Sequence, residues 1–237
     1  MPGERVYGLS FGEEPDFIRY GGRKKVGVRF SKEEIKNLAI AVSVLTVCFS
    51  VAFRSSGLLY MFSLETLMRI LYFLPVSFVA VLTAFLLHEI GHKIVANHYG
   101  HPAAFYYSKQ GLIFAGIMSI VFGFLIAAPG AVYIFGQPSR KENGIISVAG
   151  PLTNFIIGSV FVGLFLVFGI IGFLFDLSSF LASSFLLIAI VNFFLGGFNM
   201  IPVRPFDGSK ILKWNKPVYF TLLVLLVVPI IFFFFIF

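Results

Sequence analysis

The feature that most constrains this chain is a series of apolar runs long enough to cross a lipid bilayer. Residues 70–87 carry no charge and are mostly Leu, Val, Phe and Ala, and further runs lie at about 36–54, 144–174, 178–202 and 217–237. Spanning a hydrocarbon layer of about 30 Å takes about 20 such residues, and a backbone in lipid must satisfy its own hydrogen bonds, so these runs are expected to be helices. With 58% hydrophobic and 12% charged residues among 237, the chain reads as an all-α polytopic protein of the cell membrane. A separate large soluble domain has no room.

The formal charge of +7 does not point to a nucleic-acid partner, because eight of the 18 Lys and Arg fall in residues 1–36, just before the first apolar run. They read as a topology signal: residues 1–35 form a cytoplasmic N-terminal tail and 36–237 a membrane-embedded domain. Val26-Gly27-Val28-Arg29-Phe30 alternates like a strand, and Ser31-Lys32-Glu33-Glu34 has the form of a capping box opening the first span. Residues 55–71 read as interfacial, and the second span as about 72–97. Cys48, the one cysteine, excludes an intramolecular disulfide and a zinc site built from several thiolates.

Residues 110–139 are uncharged but broken by Pro129-Gly130, and suit either a full crossing or a segment that enters and returns. If the segment does not cross, sixteen of the 18 cations share one side; if it does, the division is ten against eight. The positive-inside tendency favours the first arrangement, with the N-terminus cytoplasmic and the C-terminus outside. The expected fold is therefore about five to six transmembrane helices with a re-entrant or hairpin segment. A small amount of strand is expected near the active site, at Ala131-Val132-Tyr133-Ile134-Phe135.

The run over 70–87 leads directly into His88-Glu89-Ile90-Gly91-His92, an H-E-x-x-H motif at the end of a membrane-length segment. Helical residues four apart lie about 40° from each other around the axis, so His88 and His92 present paired imidazoles on one face as metal ligands. Glu89 lies about 100° from His88, within reach of water at such a metal but off the ligand face, which suits a general base. In a soluble helix the same residues are often an ordinary polar face. In a bilayer each ionisable residue costs roughly 2.5–3.5 kcal/mol, so three together require a compensating role.

A catalytic zinc usually takes three protein ligands and leaves one position for water. After Glu89 the only acids are Glu142, Asp176 and Asp207. Glu142 sits beside two bases, where a solvated ion pair is the ordinary explanation, and Asp176 reads as a turn residue on the far side. Asp207 remains, behind Pro202 and Pro205 and before Gly208, where the chain stops being helical on the side to which His92 belongs. An Asp before Gly is also a common turn residue, but elimination favours the ligand.

These residues resemble the site-2 protease family of intramembrane zinc metalloproteases over about 80–213. The resemblance is carried by His88-Glu89-Ile90-Gly91-His92, Ala149-Gly150-Pro151-Leu152-Thr153-Asn154, and Asn199-x-x-Pro202-x-x-Pro205-x-Asp207-Gly208. It implies that His88, His92 and Asp207 hold one Zn2+, that Glu89 activates water, that Asn199 helps stabilise the oxyanion and that Asn154 helps position substrate. Read without the family, Asn154 and Asn199 are equally polar residues suited to interhelical hydrogen bonds. Ser209 stands where many members have a second glycine, and no soluble peptide-binding module interrupts the spans.

The implied reaction is hydrolysis of a peptide bond within or beside a transmembrane segment of a membrane-protein substrate. The extended 131–135 stretch would offer an edge on which that segment could pair. The rival is a membrane metal-ion transporter using the same His/His/Asp site, which gives Glu89 no distinct task.

Overall fold

The computed structural model describes residues 27–53, 63–123, 129–175 and 180–236. Expectations for 1–26, Arg54 and Asp176 lie outside the described residues. Residues 27–30 are not a strand but irregular, exposed chain leading into helix α1 (Lys32–Ala52). The Ser31 hydroxyl accepts the Glu34 N–H at 3.0 Å, so one half of the expected capping box forms. The Glu34 side chain turns inward instead, to partners on two other elements.

A second N-cap, Ser63, starts helix α2 (Leu64–Val81), eight residues ahead of the expected span. The sequence placed this first part at the interface because Glu65 and Arg69 lie in it, but the two side chains pair at 2.9 Å across one turn and leave the helix intact. A π-helical turn (Leu82–Leu86) joins α2 to α3 (Leu87–His98), giving one helical run of 35 residues, Leu64–His98.

Strand β1 (Ala103–Tyr107), helix α4 (Lys109–Val121) and strand β2 (Gly130–Ile134) follow. The strands pair antiparallel from Ala103↔Ile134 to Tyr107↔Gly130. The two ends of the 108–129 segment are therefore neighbours, and the segment leaves and returns at one place. At 13 residues α4 is about 20 Å long, short of a hydrocarbon layer. The paired strand ends fit the hairpin arrangement.

Helices α5 (Arg140–Phe175), α6 (Phe180–Asn199), α7 (Asp207–Trp214) and α8 (Lys216–Ile236) complete the described chain. Five helical runs have the length and apolarity of membrane spans, consistent with an all-α polytopic membrane protein. Only 6% of the α5 apolar window is buried within the protein, so its aliphatic and aromatic surface needs lipid as a solvent. The internal core forms where α1, α2 and α4 pack around Leu45, Val81, Ala84 and Phe85. A second cluster joins α6, α7 and α8 around Phe193, Met200, Ile211 and Leu226.

Candidate metal centre

Helix α3 lies against α5 through small residues. A Cβ at Gly91 would stand 3.0 Å from Thr153 Oγ1 and 3.3 Å from the Ala149 carbonyl, so the glycine inside the H-E-x-x-H motif lets the two backbones approach. Across this contact Gly150 faces both imidazoles. A Cβ there would fall under 3.0 Å from Nε2 of His88 and of His92.

Both histidines are buried and held from behind. His88 Nδ1 lies 2.8 Å from Asn154 Oδ1, and His92 Nδ1 lies 2.8 Å from the Ile146 carbonyl. Each acceptor fixes its ring as the Nδ1–H tautomer, leaving both Nε2 lone pairs directed at the same point. The Nε2 atoms are 3.0 Å apart.

Asp207 meets them as the first residue of α7. Its Oδ2 is 3.0 Å from His92 Nε2 and 3.5 Å from His88 Nε2, while Oδ1 accepts from Lys210 Nζ at 3.2 Å. Gly208 makes this approach possible, since a Cβ there would fall under 3.0 Å from Met200 O at the end of α6. The Tyr219 hydroxyl donates to the same carbonyl at 2.9 Å, tying the turn to α8.

The three ligand atoms lie within 4.8 Å of one another, the one such group among the described residues. Two imidazole nitrogens and one carboxylate oxygen, with glycine opposite and an adjoining cavity, fit a zinc with one coordination position left for water. Glu89 is off the ligand face and borders that cavity, its Oε2 accepting the Val132 N–H of β2 at 3.0 Å. Asn199 borders it too, with its amide donating to Leu195 O at 3.0 Å.

Asn154 is 0% exposed, and its Nδ2 donates to Ala84 O at 3.0 Å and Asn192 O at 3.1 Å. It stands behind His88 rather than beside the cavity. Glu142 is not a solvated partner of neighbouring bases: it accepts the Ser139 N–H at 2.7 Å, and Ser139 Oγ accepts the Glu142 N–H in return, a capping box for α5.

Comparison with known proteins points to the same metal. The chain is 38% identical over 197 residues to the "Putative zinc metalloprotease MJ0611" of Methanocaldococcus jannaschii, covering 79% of this chain and 87% of that protein. This chain belongs to the zinc metalloprotease family. Its cofactor is Zn2+, which His88, His92 and Asp207 are placed to hold. The "Zinc metalloprotease MJ0392" of the same organism is 30% identical over 141 residues, 60% of this chain and 34% of that protein. The "Putative zinc metalloprotease YwhC" of Bacillus subtilis is 29% identical over 165 residues, 61% of this chain and 73% of that protein. No family model and no solved structure matches the chain.

Several residues around this metalloprotease site escaped the sequence. Asn192 donates to Thr83 Oγ1 at 3.0 Å and offers its carbonyl to Asn154, but nothing in the sequence pairs a residue of α6 with one of α5. Lys93 was counted among the topology cations, yet it is 1% exposed and ion-paired with Glu34. A lysine placed directly after the metal motif in an apolar helix was the available signal.

Proposed function

We propose that this metalloprotease acts within the membrane, as a site-2-type protease hydrolysing peptide bonds in or next to transmembrane segments of membrane proteins. The observation that carries the reading is the position of the metal ligands. His88 lies inside the 35-residue helical run Leu64–His98, about 15 Å along the axis from its C-terminal end, so the site sits at the depth of a bilayer leaflet.

Zinc bound by His88, His92 and Asp207 supplies a Lewis acid for the scissile carbonyl and acidifies water towards neutral pH. Glu89 takes the proton of the attacking water and delivers it to the leaving amine. The Asn199 amide, already at the cavity wall, turns from Leu195 O to donate to the oxyanion. Asn154 acts on the reaction through His88, whose ring it orients, and not by touching substrate.

A helical substrate hides its peptide bonds and must extend before attack. The Phe105–Val132 pair supports one sheet edge as the place that receives it. Phe105 N–H and C=O both point to α1, where Glu34 accepts the first at 3.1 Å and Asn37 donates to the second at 3.5 Å. Val132 N–H points the other way, to Glu89 and the cavity. The β1 edge is covered, and the β2 edge is available for an extended peptide beside the catalytic carboxylate. Transport along the same ligands leaves Glu89 without a task, and the metalloprotease relatives weigh against it.

The test compares purified wild-type and Glu89→Gln protein for zinc content and for cleavage of a single-span substrate in liposomes. Zinc retained with cleavage reduced by at least about 10²-fold is expected. Equal cleavage by both proteins would end the proposal, and zinc flux without proteolysis would favour transport.

A further inference from the structure

A closed circuit of contacts starts one residue after the metal ligand His92 and returns to Glu89. Lys93 of α3 is buried and ion-paired with Glu34 Oε2 of α1, with its ammonium 4.1 Å from the centre of the Phe30 ring. The other oxygen of Glu34 accepts the Phe105 N–H of β1. Phe105 is the register partner of Val132 in β2, and Val132 donates to Glu89, again on α3.

Neither charge is used in holding the metal or in the chemistry. Glu34 is 3% exposed and Lys93 1%, and burying two charges is costly unless both are paired and hydrogen-bonded. The charges themselves are not what stability demands, because a buried ion pair can often be replaced by apolar residues of the same volume without loss, although the Phe105 N–H needs the acceptor that Glu34 supplies. What an ion pair supplies that an apolar pair does not is direction. Glu34 uses one oxygen on the metal-bearing helix and the other on the sheet, fixing the sheet's distance from that helix.

We infer that Glu34 and Lys93 are a positioning pair that sets the open edge of β2 against Glu89, and thereby selects which peptide bond of a bound segment reaches the metal site. The inference rests on the proteolytic reading above. A bound strand displaced by about one 3.3 Å repeat would offer the neighbouring bond, so bond choice is the property the pair controls.

The test uses full-length, zinc-loaded protein in liposomes with the double variant Glu34→Leu/Lys93→Met, which removes both charges together and leaves neither unpaired. Zinc content is expected to stay at the wild-type level. Cleavage efficiency is expected to fall on the order of 10- to 100-fold, with products spread over adjacent bonds when resolved by mass spectrometry.

A second variant, Glu34→Lys/Lys93→Glu, keeps an ion pair but turns an ammonium towards the Phe105 N–H. It is expected to miscut as well, whereas restored rate and bond choice would show that charge balance alone matters and would overturn the proposal. Hydrogen exchange of peptides covering 102–107 and 129–135 supplies a readout independent of proteolysis. Exchange is expected to quicken in both variants, with the peptide around His88 unchanged. Unchanged protection of the two strands would overturn the inference. Wild-type protein that cleaves nothing would count against the proteolytic reading instead, and the exchange result would still decide the role of the pair.

Discussion

At the scale of single residues, space matters as much as the ligands do. Gly150 sits in a helix interior, where alanine is ordinarily favoured over glycine by roughly 1 kcal/mol. Here the added methyl would stand under 3.0 Å from both Nε2 atoms. Gly150→Ala is therefore expected to lower zinc content at least about tenfold, as read by metal analysis of the purified protein, with the crowding outweighing the gain in helix propensity and lowering the melting temperature. Wild-type zinc content in Gly150→Ala protein would refute this. Asn154→Ala frees the His88 ring and leaves Ala84 O and Asn192 O without their donor. Zinc affinity measured against a chelator should drop about 10–100-fold. His88, Glu89 and His92 were legible because one helix fixes their spacing, and Asp207 because so few acids remained. Gly150, Asn192 and the Glu34–Lys93 pair were not, since their roles depend on which helices pack together.

At the scale of elements, length and apolarity made the spans readable to within several residues, and a run of β-branched and aromatic residues between Pro129-Gly130 and Gly136 made β2 readable. β1 was missed because Ala103, Ala104 and Phe105 are all buried, so alternation is absent where α1 and α3 cover the strand. The π-helical turn was also invisible in the sequence. It lies immediately before the metal helix and contains Ala84, whose carbonyl takes the Asn154 amide, and π-turns recur at functional sites. The sheet yields a directional prediction. Phe135 N–H bonds Pro102 O, and antiparallel pairs alternate, so the Val132 N–H belongs to the outer edge while that of Tyr133 faces β1. Val132→Pro removes the outer donor, and with it the hydrogen bond to Glu89, without breaking the β1 ladder. Cleavage of a membrane-segment substrate is expected to fall at least about tenfold with zinc content retained. Normal cleavage by inserted, zinc-loaded Val132→Pro protein would show that peptides do not pair on this edge.

At the scale of the whole molecule, the pairing of β1 with β2 agrees with the sixteen-to-two cation division that the positive-inside tendency favours over ten-to-eight, because the strand ends Tyr107 and Gly130 meet. The ends of α3, α7 and the starts of α5 and α8 then share a side. Arg69, the described cation opposite them, is matched by Glu65. Lys93 contributes little to the bias, being buried against Glu34, but Arg140, Lys141, Arg204, Lys213 and Lys216 remain exposed on the metal-site side. Such a distribution favours a cytoplasmic position for that side and for the N-terminus. The prediction can be read with single cysteines in a Cys48→Ser background, since Cys48 is the only native thiol. A membrane-impermeant thiol reagent added to intact cells should label Arg69→Cys and leave Lys141→Cys and Lys216→Cys unlabelled until the membrane is opened. The opposite pattern would invert the orientation. Labelling of Arg69→Cys and Lys141→Cys from the same face would contradict the five-span arrangement itself, because the single crossing Leu64–His98 separates those two positions.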